Sequence, residues 1–260
     1  MTIFISVVSH LHGELIEQLG CLAKLAERFK VVVKVNSEET YLLSYLKLHN
    51  INVIDTSYGL GFGHNNNIIY NYCEDKLGMN SNDYFIVFNP DVYVESEALA
   101  ELVNKMFENN CQLAGANLFK NKELTIPDNS IRHFPTFLQF FKSFLGLGNS
   151  TIIDKSKVLK PIEVDWASGS FLAFKASHYR LLGGFDQGYF MYCEDIDICF
   201  RSNKIGIPLT FYPDIKMLHL AKHANRALFS KHFYWHLCSV GRFLLTKVGV
   251  TKPKSIIGLA

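Results

Sequence analysis

The chain has 260 residues, 48% of them apolar and 19% charged, which is enough apolar mass for a large core and excludes a disordered chain. Its formal charge of +2 gives no electrostatic case for a nucleic-acid partner, and no apolar stretch reaches the roughly 18 residues of a membrane span. Six cysteines at 21, 73, 111, 193, 199 and 238, with no CxxC pair, exclude a zinc knuckle and a disulfide framework and fit a reduced, cytosolic setting.

Residues 3–9 form an Ile/Val-rich run without a basic segment ahead of it or a small-residue cleavage site beside it. They therefore read as a first strand and not as a signal peptide. An apolar pattern through Leu15, Leu19, Leu22, Leu25, Ala26 and Phe29 predicts a helix. Strands at 31–35 and 51–54 then flank a helix at 41–48. This alternation predicts an α/β fold with a Rossmann-like, doubly wound, mostly parallel sheet between helices, whose ligands bind at the carboxyl ends of the strands. Ser9 and Asn36 close the first two strands.

Gly59, Gly61 and Gly63 alternate in the next loop, ahead of a helix that carries Asn65, Asn66 and Asn67. Such glycines let backbone approach a ligand, and a helix start favours an anion; the plainer reading is a turn. A strand at 84–88 stops at Asn89-Pro90-Asp91, which taken alone reads as a turn between two strand pieces. A helix at 97–107 and a strand at 113–118 follow. The phenylalanine-rich stretch 134–145 is helical core or a surface that meets lipid. Asp165-Trp166-Ala167-Ser168-Gly169-Ser170 places small residues ahead of another strand; an aromatic such as Trp166 there reads most simply as packing.

A strand at 208–212 leads to His219 and His223, whose spacing suggests zinc, but no third His or Cys ligand has an obvious place. Beyond Asp214 there is no Asp or Glu, while Lys216, Lys222, Arg226, Lys231, Arg242, Lys247, Lys252 and Lys254 follow. The segment 226–260 is therefore expected as a basic, amphipathic helical extension of a domain spanning 1–225. It packs on that domain, lies against anionic lipid, or does both with different faces.

The densest stretch is Gly184-Phe185-Asp186-Gln187-Gly188-Tyr189-Phe190-Met191-Tyr192-Cys193-Glu194-Asp195-Ile196-Asp197. An aromatic, glycine-bearing loop runs into three acids in the first turn of a predicted helix. Glu194 and Asp195 either complement the helix end or supply a general base. Asp197 lies about 200° around the helix from Asp195 and is expected to pair with Arg201 one turn on.

This stretch resembles the acceptor loop and Glu-Asp motif of inverting family 2 glycosyltransferases of the GT-A fold, most of all the bacterial rhamnosyltransferases of O-antigen and cell-wall assembly. Gly61-Phe62-Gly63 with Asn66 resembles the family's donor-site motif, Asn89-Pro90-Asp91 its Asp-x-Asp site, and the 164–174 segment its glycine loop. Asp91, Gly169, Asp195 and His219 keep the family's order. The resemblance implies Asp195 as catalytic base, with Glu194 orienting the acceptor or the loop. It implies Ser9, Asn36, Gly61, Gly63, Asn66, Asn89 and Gly169 at the donor, Asp165, Trp166, Tyr189 and Tyr192 at the acceptor, and Asp91 with His219 on Mg2+ or Mn2+. The implied partners are a nucleotide sugar, dTDP-L-rhamnose, a saccharide on undecaprenyl diphosphate, and the inner leaflet of the cytoplasmic membrane, which a cytoplasmic enzyme would touch peripherally. Two departures stand out: Asn89 replaces the first acid of the metal motif, and Val35 stands where the family commonly carries an acid that reads the base. A sugar-phosphate nucleotidyltransferase would be expected to carry a basic, glycine-rich loop at 9–13, which is lacking. A carbohydrate-binding relative is the other alternative. The glycosyltransferase reading requires Asp91, Asp195 and His219 to meet in one cleft.

Overall fold

A computed structural model describes residues 1–144, 146–221 and 230–258. The chain opens with β1 (Ile3–Ser9), α1 (Gly13–Leu19), α2 (Cys21–Ala26), β2 (Lys30–Val35), α3 (Thr40–Leu48), β3 (Asn52–Ile54) and α4 (Phe62–Leu77). The single helix expected through 15–29 is two helices, because Gly20 takes φ 59° and closes α1 before α2 begins. A glycine is the residue that adopts this left-handed cap most easily.

The sheet continues with β4 (Tyr84–Phe88) and β5 (Val92–Tyr93), then α5 (Ser96–Glu108), β6 (Leu113–Phe119), β7 (Ile131–Arg132) and α6 (Phe137–Phe144). After these come β8 (Ile162–Val164), β9 (Trp166–Ala167), β10 (Phe171–Lys175), α7 (Ala176–Leu181), α8 (Glu194–Lys204), β11 (Leu209–His219) and α9 (Lys231–Lys247). The main sheet has the order β3-β2-β1-β4-β10-β6-β11-β5, with β8 also on β11, while β7 and β9 form a separate ribbon. The strands β3, β2, β1 and β4 are parallel, and β10 is antiparallel to both β4 and β6. Because β11 is parallel to β6, the end of β11, the end of β4 and the start of β10 share one rim.

Alternation along the strands divides the core in two. Ile3, Ile5 and Val7 pack with Leu22, Leu46, Leu99 and Leu102 beneath α2, α3 and α5, while Phe4 joins Ile69, Phe85, Tyr179, Ile198 and Phe243 beneath α4, α7, α8 and α9. The strand expected at 208–212 runs on to His219. It passes a register shift between Tyr212 and Lys216, where the Asn117 amide donates to the Pro213 carbonyl at 2.9 Å. A proline cannot donate to a ladder, so it is accommodated at this irregularity.

The two readings of the phenylalanine-rich stretch apply to different residues. Phe140 is buried, its ring 6.3 Å from Phe243, whereas Phe137, Leu138 and Phe141 are exposed. Helix α9 starts at Ser230, whose hydroxyl accepts from the Phe233 N–H at 3.2 Å. Lys222, His223, Arg226 and the expected 225/226 boundary lie outside the described residues.

Candidate active site

The shared rim carries a cation-shaped corner. Asp91 follows β4, and His219 ends β11 opposite Val92 of β5. The His219 Nε2 lies 3.4 Å from the Asp91 carboxylate, and its Nδ1 lies 2.6 Å from Asp128 Oδ2. Burial alone would lower the His219 pKa, but the hydrogen bonds and charges of Asp128 and Asp91 outweigh it and raise it to about 9. Burial opposes ionisation of Asp91, and the His219 hydrogen bond overcomes that and holds the carboxyl below its usual value. Among the described residues no group of three or more His, Cys, Asp or Glu side chains is placed to hold a metal ion by itself. Asp91 Oδ2 and His219 Nε2 nevertheless fit two adjacent ligands of an octahedral cation with bonds near 2.1 Å, which places neighbouring ligands about 3 Å apart. A diphosphate would supply further oxygens. The Asn89 side chain, half-buried beside Asp91, has no hydrogen-bond partner among the described residues.

A short relay joins this corner to Asp195. The β4–β10 register sets Phe88 against Phe171, and the Asn89 N–H donates to the Ser170 carbonyl at 3.0 Å. One residue earlier, the Gly169 N–H donates to Asp195 Oδ2 at 2.9 Å, while Asp195 Oδ1 accepts from the Ile196 N–H at 2.8 Å. A Cβ on Gly169 would stand 3.3 Å from the Phe62 ring and 3.5 Å from Asp195 Cβ, so this glycine allows the close approach. Asp91, Asp195 and His219 thus stand around the same rim.

Burial pushes the half-buried Asp195 carboxyl up, an effect partly offset by the Gly169 and Ile196 N–H groups and by the charge of Arg132. Glu194 is only 7% exposed and its Oε2 has no partner among the described residues. Burial, then the neighbouring Asp195 charge, push its carboxyl well above the usual range. Two adjacent carboxyls in this setting do not both ionise readily at neutral pH. The turn into them is tight: Tyr192 and Cys193 both have left-handed backbone, with φ 71° and 63°, a conformation costly for side chains with a Cβ. The Tyr192 hydroxyl is tied to His232 Nδ1 at 3.0 Å. The expected helical pair is present, with Arg201 Nε donating to Asp197 Oδ2 at 2.8 Å.

The C-terminal segment holds the 185–193 loop in place. Asp186, 1% exposed, accepts from Arg242 Nε at 2.8 Å and from the backbone N–H groups of Gly188 and Lys254. Arg242 lies against Gly188, where a Cβ would fall 2.2 Å from the guanidinium carbon. Ser239 donates to the Met191 carbonyl, and Phe190 packs on Trp235 with ring centroids 4.6 Å apart.

Several residues expected at the donor or acceptor have partners within the protein. Tyr189 is 1% exposed, with Arg242 over its ring and its hydroxyl near Asp197 and Thr246, so it is core under the loop and not an acceptor contact. Trp166 is buried too; its Nε1 donates to the His133 carbonyl and Arg132 covers its ring, leaving no open face for a sugar. Asp165 takes the Phe134 N–H at 2.7 Å and fixes the neighbouring loop. Asn66 is fully buried, accepting from the Ser6 hydroxyl and donating to the Phe62 carbonyl, so it joins α4 to β1 beneath the rim. Gly61 and Gly63 face the acceptor loop, since a Cβ would lie 2.4 Å from the Phe190 carbonyl oxygen or 2.6 Å from Phe185 Cβ.

The other donor-side residues shape the rim through backbone. Asn36 exchanges two hydrogen bonds with Leu60. Ser9 donates to Glu39, whose carboxylate also accepts from the N–H groups of Leu11 and Gly13. Glu39 thus places an acid at this end of the sheet although Val35 lacks one. Asp128, Arg132, Glu39 and the Asp186–Arg242 pair escaped the sequence reading. Each acts through a partner more than twenty residues away, and only Asp186 lay inside a quoted motif.

No protein-family model matches the chain. The rhamnosyltransferase WbbL of Escherichia coli is 36% identical over 247 residues, covering 94% of this chain and 93% of that protein. The N-acetylglucosaminyl-diphospho-decaprenol L-rhamnosyltransferase of Mycobacterium tuberculosis is 28% identical over 210 residues, covering 75% of this chain and 67% of the relative. Among solved structures, a mannosyltransferase from Pyrobaculum calidifontis in complex with GDP-Man and Mn2+ superposes with a TM-score of 0.58 at 13% identity, covering 97% of this chain and 65% of the neighbour. That likeness is one of fold, and the fold is GT-A. With the acid-bearing rim and near end-to-end similarity to the Escherichia coli protein, the chain belongs to the GT-A glycosyltransferases of the bacterial rhamnosyltransferase type.

Proposed function

We propose that this glycosyltransferase moves L-rhamnose from dTDP-L-rhamnose to N-acetylglucosamine carried on undecaprenyl diphosphate, with inversion at the anomeric carbon, in assembly of a surface polysaccharide such as O-antigen. The observation that carries the reading is the relay from the Asp91–His219 corner through Asn89 and Ser170 to Gly169 and Asp195. The relatives' names supply the sugar and the lipid diphosphate class. Asp195 takes the proton from the acceptor hydroxyl as its oxygen bonds to the anomeric carbon from the face opposite the diphosphate. The bond from that carbon to the diphosphate oxygen breaks, and its electron pair leaves with the nucleotide. Burial favours this role, because a carboxylate with a raised pKa is the stronger base. Glu194, protonated beside it, orients the acceptor. Asp91 and His219 would hold Mg2+ or Mn2+, which neutralises charge on the departing diphosphate when bound; Asn89 faces the same nucleotide.

A lipid-linked acceptor supports work at the inner leaflet of the cytoplasmic membrane, as a peripheral protein acting from the cytoplasm. No helix among the described residues is long and apolar enough to cross a membrane. The decisive experiment is Asp195→Asn with a panel of nucleotide sugars. Turnover should fall at least 10²-fold, within the range for a lost general base, while donor affinity measured calorimetrically stays within a factor of about three. Near-normal turnover by this variant would remove Asp195 as the base. Pyrophosphate-dependent formation of nucleotide sugar would instead make the protein a nucleotidyltransferase.

A further inference from the structure

Asp128 lies between β6 and β7, in a segment that carried no motif. Its N–H donates to the Leu118 carbonyl at 2.9 Å, and its carboxylate is buried against His219 Nδ1 at 2.6 Å. On its other side stands Lys155, also buried, whose ammonium donates to the Leu118 carbonyl at 2.7 Å and lies 3.5 Å from Ser130 Oγ. The backbone of His219 is already placed without Asp128. His219 pairs with Val92, and the Leu220 N–H donates to the Asp91 carbonyl at 3.1 Å. What Asp128 adds is the orientation of the ring.

We propose that Asp128 is a positioning residue for His219: by accepting the Nδ1 hydrogen bond it keeps Nε2 turned toward Asp91, where a bound cation would displace the Nε2 proton. The inference rests on the reading of this rim as a cation and nucleotide site. An imidazole that ligates through one nitrogen commonly donates from the other to a carboxylate, which fixes its tautomer and raises its basicity. Asp128 meets that requirement from a different loop, which is why no spacing around His219 announces it.

The test uses the full chain, with Mn2+ titrated in the presence of dTDP and followed by the electron-paramagnetic-resonance signal of free Mn2+, so that no turnover is needed. Asp128→Ala should weaken Mn2+ affinity about 10- to 100-fold. Asp128→Asn should retain part of it, because an amide oxygen still accepts from Nδ1–H. In a His219→Ala background, adding Asp128→Asn should cost nothing more, since Asp128 acts only through the ring. A further loss there would make Asp128 a ligand in its own right and overturn the proposal. Wild-type Mn2+ affinity in both single variants, even with a lowered melting temperature, would overturn it by leaving Asp128 a structural residue. Wild-type protein that takes up no Mn2+ with dTDP would sink the cation reading itself, and this inference with it.

Discussion

Among the described residues Glu194 has no ion-pair partner and keeps an unpartnered oxygen in the protein interior, so its protonation is a stability matter. Its folded pKa is raised by burial and by Asp195, so the folded state binds a proton that the unfolded chain releases above about pH 4.3. Stability is therefore fully present below that value and declines as pH rises toward the folded pKa. Glu194→Gln removes the titration. Its stability should match wild type near pH 4 and exceed it increasingly up to pH 8, by on the order of 1 kcal/mol or more, as read in a pH series of thermal melts. A constant offset across that series would mean that the Glu194 carboxyl does not titrate abnormally. Asp195, the proposed base, gives a second readout. Burial raises Asp195 against the opposing Gly169 and Ile196 N–H groups, so the acidic limb of the kcat/KM profile should lie above the ordinary aspartate value of about 3.9. The motif made both acids legible, because two carboxyls in the first turn of a helix behind an aromatic loop are conspicuous in a string of letters. Asp128 was not legible, because its meaning comes wholly from a histidine 91 positions away.

Between elements, the glycine loop ahead of α4 meets the acceptor loop ahead of α8. The Phe62 N–H donates to the Phe190 carbonyl at 3.1 Å, and Gly61 leaves no room for a side chain beside that carbonyl. The loop glycines suggest close backbone approach, and the structure has that approach, but toward Phe190 and Phe185. Sequence patterns announce that a backbone comes near something without naming the neighbour, and Asn66 illustrates the same limit, being occupied by Ser6 and Phe62. Gly61→Ala should therefore separate the two loops. A clash with backbone oxygen has no rotamer escape, so a cost of about 1–3 kcal/mol is expected. Acceptor KM should rise more than donor affinity falls, because the displaced partner is the 185–193 loop. Unchanged melting and unchanged acceptor KM would show that the loops do not depend on this contact.

At the scale of the molecule, periodicity made the alternation of strands and helices readable, and with it the rim where sites gather. It did not show β10 running against its neighbours or β11 continuing past Pro213, since these follow from pairing with distant strands. The charge asymmetry was equally readable, and the structure gives it a face. Along α9, Tyr234, Leu237, Cys238, Leu245 and Val248 recur at helical spacing on the outer side, with Tyr234 66% and Val248 71% exposed. Phe243 and Thr246 point inward. Next to α9, α6 exposes Phe137, Leu138 and Phe141, the two being joined by Phe140 on Phe243 and by Lys247 on the Pro135 carbonyl. Lys142 in α6, Lys231 in α9, and Lys252 and Lys254 beyond it are exposed, and no acid follows Asp214. Large apolar side chains accompanied by lysines suit the boundary of an anionic bilayer, where each lysine near the surface contributes about 1 kcal/mol. The full chain should therefore sediment with vesicles containing phosphatidylglycerol, remain in solution with purely zwitterionic ones, and detach as salt shortens the Debye length from about 10 Å at 0.1 M toward 3 Å at 1 M. Leu237→Asp with Leu245→Asp should abolish sedimentation at unchanged melting temperature, because both side chains already face solvent, and turnover of a short water-soluble acceptor should persist while turnover of a vesicle-borne one falls. Equal binding of the double variant, or binding indifferent to lipid charge, would place the membrane contact elsewhere on the molecule.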